Sequence, residues 1–278
     1  MALRYEDRIM RVLEYIHDNP DGDLSLDALA DVAAMSRFHW HRVFRAVTGE
    51  TCAQAVRRMR LHRASVWLVR EDMSLEEIAK KAGYASLNAF SRAFADAYGA
   101  TPSAFRKSGR LFPPGRPLRI GEHPMYPTTT RTEPARRFIG LTHTGAFHEI
   151  GRSFEQFAAL AQTRNLWPDL GQGIAIYFDN PEEVAEADLR SFAGCEFRGS
   201  EVPDGMVAHE LAGGKTAVVT YKGPYSGLEA AYTALFGNWL PESGEEPADA
   251  PCYELYLNSP MDTAPEDLIT EICLPLKD

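Results

Sequence analysis

Between Leu24 and Arg106 the sequence states one structural pattern twice, as LSLDALADVAAMSRFHWHRVFRAVTG and as MSLEEIAKKAGYASLNAFSRAFADAYGATPSAFR. Each copy reads as a short helix, a tight turn and a second helix with basic residues on its outer side. Ser25 and Ser74 open the copies as N-caps, where a side-chain oxygen takes a free N–H of the first turn. Glu77 lies three residues after Ser74, as a capping box requires. Ala30 and Ala79 fall five residues after the caps, where two helices cross closely and only a small side chain fits. Ser36 and Ser86 precede the second helices, and Gly49 and Gly99 close them as C-caps. A basic helix presented on such a turn fits the major groove, so the pattern points to double-stranded DNA as a partner.

Helical spacing sorts the side chains of both second helices. Trp40, Val43, Phe44 and Val47 recur on one face of the first and are expected to be buried. Arg37, Phe38, His41, Arg42 and Arg45 fall on the other. In the second copy Phe90, Phe94, Ala97 and Tyr98 point inward, while Asn88, Ser91 and Arg92 point outward. Arg42 and Arg92 have the geometry to pair bidentately with guanine. Leu87 and Ala89 stand where longer polar side chains would read more, so the second copy is expected mainly to position the protein on phosphates. Taken singly, either basic face also fits a solvated helix surface. The charge is divided accordingly. The whole chain is net −10, yet residues 1–108 hold 16 Lys/Arg against 14 Asp/Glu, and residues 36–70 hold eight Arg against Glu50 alone. That local excess is the footprint expected of a nucleic-acid-binding half. The remainder is strongly acidic and would be repelled by DNA.

On these residues, and on the ending Gly99-Ala100-Thr101-Pro102-Ser103-Ala104-Phe105-Arg106, the first 107 residues resemble the AraC/XylS family of bacterial transcription regulators. The resemblance implies seven helices, with Thr51 to Val69 as a long linker helix spacing the two units about one DNA turn apart. It implies that Phe38, His41 and Arg42 approach bases from the first unit, and Asn88, Ser91 and Arg92 from the second.

Glycines and prolines cluster between Ser108 and Pro127 and would break any helix. The expected domains are 1–108, a connector over 109–127, and 128–278. The last part repeats internally. Thr142-His143-Thr144-Gly145-Ala146-Phe147 matches Thr220-Tyr221-Lys222-Gly223-Pro224-Tyr225 at an offset of 78, and Ala175 to Pro181 matches Glu254 to Pro260 at 79. Strand-like runs (Phe138 to Leu141, Thr216 to Val219) precede these turns, and helix-like runs (Ser153 to Gln162, Leu228 to Trp239) follow. Further strands are expected around Asp188 to Glu196 and Leu268 to Pro275. Asp179 and Asn258, each two residues before a proline, suit turns. The unit is strand, helix, strand, strand, used twice. The fold class is therefore multidomain: an all-α tandem helix-turn-helix domain, then an α+β domain with a pseudo-twofold antiparallel sheet and helices on one face.

Five short motifs in order give this second half a resemblance to the GyrI-like small-molecule-binding domain: Tyr177 to Pro181, Gly223-Pro224-Tyr225, Trp239-Leu240-Pro241 with Ser243-Gly244, Tyr253 to Leu257, and Thr270 to Leu276. Strand alternation puts Cys252, Glu254, Tyr256 and Asn258 on one face, with Tyr253, Leu255 and Leu257 on the other. If the second face meets the helices, Glu254 faces a cleft beside Tyr256. A carboxylate among aromatics suits a lipophilic cation, and the resemblance implies the same role for Glu254. Tyr177, Tyr225, Trp239 and Tyr256 are candidate pocket walls, with ordinary core as the alternative for each aromatic and a salt-bridged or edge-strand charge as that for Glu254. The reading is a DNA-binding transcription regulator that senses a small, partly apolar effector, with RNA polymerase as a further candidate partner. Two alternatives stay open: a GyrI-like hydrolase using Glu254 with Trp239 or Tyr256, since a buried Glu with raised pKa serves as a general base, and a protein-interaction module.

No apolar run approaches the roughly 18 residues of a membrane span, and the first residues read as an amphipathic helix rather than a signal peptide. Cys52, Cys195, Cys252 and Cys273 have no C-x-x-C spacing and read as thiols in a reducing cytoplasm. His39, His41 and His62 suit helix surfaces better than a metal site. Ser153, His148 and Glu149 lack the G-x-S-x-G elbow of a hydrolytic triad. No cofactor or metal is expected.

Overall fold

The computed structural model describes residues 5–19, 22–109, 125–179, 181 and 184–278. Of the breakers expected in the connector, Gly109 and Pro127 lie within these residues. Pro113, Pro114, Gly115, Pro117, Gly121 and Pro124 lie outside them. Two compact units form: Met1–Met35 with Phe44–Gly121, and Ser36–Val43 with Glu122–Asp278. Among the described residues no helix is long and apolar enough to cross a membrane.

The helical part runs α1 (Tyr5–Asp18), α2 (Leu26–Ala33), α3 (Trp40–Thr48), α4 (Cys52–Arg70), α5 (Leu75–Lys81), α6 (Leu87–Tyr98) and α7 (Pro102–Ser108). The caps explain the boundaries. Ser25 accepts from the Ala28 N–H, Ser86 from Ala89 and Thr101 from Ala104, while Ser74 and Glu77 form the reciprocal box. Thr51 and Gln54 form a second box, at the start of α4. The repeat also holds in the turns. Ala34 N–H reaches Asp31 O and Met35 N–H reaches Ala30 O. Forty-nine residues on, Gly83 N–H reaches Lys80 O and Tyr84 N–H reaches Ala79 O. Both turns need a left-handed residue, supplied by Gly83 at φ 75° and by Ala34 at φ 52°. In Ala34 the Cβ makes that conformation costly.

Three expectations of the helical part are corrected. Helix α3 begins at Trp40, not directly after Ser36, although the Ser36 hydroxyl still accepts from Phe38 N–H and its carbonyl from His39 and Trp40 N–H. Ala97 is exposed, whereas Ala93, one turn earlier on the same face, is buried. Val47 is only half-buried, with Ala46 buried beside it. The core of the second copy gathers Leu61, Trp67, Ile78, Phe90, Phe94 and Phe105. The terminal motif has a clear structural task. Phe105 packs edge-on against Phe94 at 5.2 Å, and the Arg106 guanidinium donates to Leu68 O and Met73 O, tying α7 to the end of α4. At about 1.5 Å per residue the 19-residue α4 is roughly 28 Å long.

The second unit is built on one eight-stranded antiparallel sheet. Its strands are β1 (Thr128–Glu133), β2 (Arg136–Thr144), β3 (Leu170–Tyr177), β4 (Arg190–Phe197), β5 (Val207–Leu211), β6 (Gly214–Lys222), β7 (Tyr253–Tyr256) and β8 (Ile269–Pro275), in spatial order β1-β6-β8-β7-β3-β4-β2-β5. The order reads the same from both ends once repeat partners are matched, which is the pseudo-twofold expected. The axis passes through the β3–β7 pairing, where Ala175 lies directly opposite Glu254. Repeat-equivalent residues make equivalent bonds: Asp179 accepts from Arg190 N–H at 2.7 Å, and Asn258 from Ile269 N–H at 2.8 Å. Gly140 and Gly194 face each other between β2 and β4, so closely that a Cβ on either would lie 2.1 Å from a carbonyl oxygen of the other strand. One helix, α8 (Gly151–Thr163), follows the first turn. The second is α9 (Leu228–Ala234), continuing through a π-helical turn at Leu235–Trp239 into α10 (Leu240–Ser243).

The condition under which Glu254 would face away from the helices, that they cover the Tyr253 and Leu255 face of β7, is not met. Tyr253 and Leu255 join Phe138, Ile174, Ile176 and Phe192 in a cluster made of strand residues. Glu254 and Tyr256 instead lie under the helices, Tyr256 against Phe154 of α8. Alternation separates the two faces but carries no information on which one a helix will cover.

Candidate functional site

The expected DNA-reading residues fall into two groups. On α6, Asn88 and Arg92 are exposed and Ser91 is half-buried, over a face whose far side buries Phe90 and Phe94. Beside it a groove is lined by Val56, Arg57, Arg60, Tyr84 and Arg92, with Arg57 paired to Asp96 at 3.3 Å. On the first copy, Arg37 and Arg45 are exposed, Phe38 and Arg42 half-buried, and His41 buried.

Arg42 belongs with Ser36–Val43 to the second unit, and its surroundings there are aromatic. The guanidinium carbon sits 4.5 Å from the Tyr232 ring centre and 5.6 Å from that of Phe236. Its Nη1 is buried and, among the described residues, has no hydrogen-bond partner. His39, three residues earlier, stacks on Phe236 at 5.7 Å, and its Nε2 lies 2.8 Å from the Ala250 carbonyl, which accepts from it. Burial lowers the His39 pKa to about 3, so the ring is neutral.

Glu254 is a buried acid on β7. It is buried at 3% exposure, and both carboxylate oxygens are taken. Tyr256 and Tyr177 donate to Oε2 at 2.7 and 3.3 Å, and Tyr232 donates to Oε1 at 3.1 Å. Among the described residues no basic side chain forms an ion pair with it. Burial raises its pKa, while the three hydroxyls, and after them the Arg42 charge, pull it back. Burial and the Glu254 charge hold all three phenols well above their usual range, so they remain protonated donors.

Aromatic rings pack around these tyrosines. Tyr256 meets Tyr225 at 5.4 Å and Phe154 at 5.5 Å, and Tyr177 meets Phe147 at 4.9 Å. Opposite the acid the floor is small, with Ala175 fully buried and Gly173 across from Tyr256. The arrangement sets one buried carboxylate among several π-faces. Four of the five expected pocket residues, Glu254, Tyr256, Tyr177 and Tyr225, are thus brought together. Trp239 is half-buried in the π-helical turn, and Tyr232, seven residues before it, is the residue of that helix that reaches Glu254. Seven residues is two α-helical turns, which would place both side chains on one face. The π turn between them rotates Trp239 out of phase.

A family model described as a GyrI-like small molecule binding domain matches residues 127–277, and one described as a helix-turn-helix domain matches residues 29–108. The transcriptional regulator Rob of Salmonella typhimurium is 27% identical over 251 residues, covering 84% of either chain. The right origin-binding protein of Escherichia coli K12 is 27% identical over 252 residues, again 84% of each. The regulatory protein SoxS of Salmonella typhimurium is 32% identical over 104 residues, which is 37% of this chain and 97% of that one.

Proposed function

Because this chain belongs to the GyrI-like family and carries a helix-turn-helix half ahead of that domain, it is a DNA-binding transcription regulator, and we propose that its effector is a lipophilic cation held against Glu254. One observation carries this reading: a buried carboxylate with three tyrosine donors and surrounding aromatic rings that, among the described residues, forms no ion pair with a basic side chain. Removing such a charge from water costs several kcal/mol, and a bound cation offsets that cost directly. The walls add cation–π attraction and exclude heavily hydrated ions. Because both oxygens of Glu254 already accept tyrosine protons, the acid suits an electrostatic anchor better than a general base, which favours sensing over hydrolysis. On the DNA side, Arg37, Phe38, His41, Arg42 and Arg45 from the first copy and Asn88, Ser91 and Arg92 from the second are the proposed contacts. The proposed domain limits are 1–108 and 128–278.

Calorimetric titration of the full chain tests the effector reading. Tetraphenylphosphonium and tetraphenylborate share one shape and carry opposite charges. The cation is expected to saturate at one per chain and the anion to give no specific heat. Equal binding of the two would overturn the reading, because an apolar pocket alone would then suffice.

A further inference from the structure

We propose that Arg42 is the built-in occupant of the cation site, so that an arriving cation competes with it and binding frees a residue placed to read DNA. The inference rests on the reading of Glu254 as a cation anchor. Segment Ser36–Val43 is compact with residues 122–278. Three contacts hold it there: Ser36 Oγ donates to Asp249 at 3.2 Å, neutral His39 donates to Ala250 O, and His39 stacks on Phe236. They deliver the Arg42 guanidinium to the face of Tyr232, whose hydroxyl is one of the three donors to Glu254. A single side chain thus presents its ring to the arginine and its proton to the acid. Arg42 also acts electrostatically on Glu254, Tyr177 and Tyr232.

Arg42 is a poor permanent partner for this site. A guanidinium needs hydrogen bonds for its N–H groups, and here Nη1 is buried with none from the described residues, which is costly. A cation that carries no N–H donors leaves no donor unmet among the same rings. Guanine offers Arg42 the bidentate acceptors the pocket lacks. The two equilibria are therefore coupled, and coupling is reciprocal: a cation that displaces Arg42 strengthens DNA binding, and DNA that engages Arg42 strengthens cation binding.

The test is titration of full-length wild-type, Arg42→Met and Arg42→Lys chains with tetraphenylphosphonium. Met keeps the apolar stem and removes the competing charge, so Arg42→Met is expected to bind at least fivefold tighter. Arg42→Lys keeps a charge and is expected to stay within twofold of wild type. If wild type and Arg42→Met both bind, with affinities within twofold, the competition is overturned and the anchor reading stands. If neither binds, the anchor reading falls and takes the competition with it. A second measurement needs no variant. Tetraphenylphosphonium is expected to tighten binding of the wild-type chain to a DNA fragment selected from the source genome at least fivefold, and an unchanged affinity would overturn the proposal.

Discussion

Replacing Glu254 by Gln changes one charge and almost no shape, and its effect can be worked from the contacts. Oε2 accepts from Tyr256 and Tyr177, and Oε1 from Tyr232. In Glu254→Gln the amide oxygen can keep the first pair, and the amide nitrogen then faces Tyr232, whose hydroxyl can turn to accept. The fold should therefore survive. What is lost is the charge opposite a bound cation. Truncating one partner of a buried charge pair costs roughly 2–5 kcal/mol, and the tyrosine set softens this toward about 2–4. At about 1.4 kcal/mol per factor of ten, tetraphenylphosphonium affinity should fall roughly 30- to 700-fold. The proton linkage gives a second signature. Burial raises the Glu254 pKa in the folded chain, so the acid form is favoured there relative to the unfolded chain. Its contribution to stability is fully present below the ordinary carboxyl range and is lost as pH rises through the raised value. Cation affinity runs the other way, rising through the same window as the carboxylate forms. Calorimetry against pH on both chains reads this. Wild-type affinity should climb and then level, while Glu254→Gln stays low and flat. A variant that binds within threefold of wild type, or a wild-type profile with no pH dependence, would refute the argument.

Gly194→Ala would place a Cβ 2.1 Å from Ile139 O, so it should destabilise the second unit by about 1–3 kcal/mol or more, read by denaturant melts. Ala34→Gly relieves a left-handed Cβ and should stabilise the helical part by roughly 1 kcal/mol. Ser74→Ala removes one half of the α5 capping box and should cost about 1 kcal/mol. Arg92→Ala should weaken binding to all DNA sequences alike and make its salt dependence shallower. A loss confined to one sequence would make Arg92 a base reader instead.

The helical part was legible because its signals are local. Caps, C-cap glycines and the 49-residue echo of Ser25 in Ser74 each act within a few residues of themselves. The strand-helix-strand-strand repeat was legible from apolar runs and from Asp179 and Asn258, which do accept from strands β4 and β8. The edge strands β1 and β5 escaped notice. Thr128–Glu133 and Val207–Leu211 are largely solvent-facing, so backbone pairing to β6 and β2 defines them and side chains carry little signal. Glu254 could be singled out as an acid among aromatics. Tyr232 could not, because the π turn that separates it from Trp239 leaves no mark on helical periodicity. The burial of His41 and part of Arg42 was equally hidden, since it depends on which residues pack against Ser36–Val43 and not on the helix itself.

The most direct measurement is a co-crystal structure of the full chain with tetraphenylphosphonium. One cation per chain is expected, with a phenyl-bearing phosphorus within about 6 Å of the aromatic ring centres and Tyr177, Tyr232 and Tyr256 still turned toward Glu254. A cation seated elsewhere, or none bound while Glu254 keeps its three tyrosines, would contradict it.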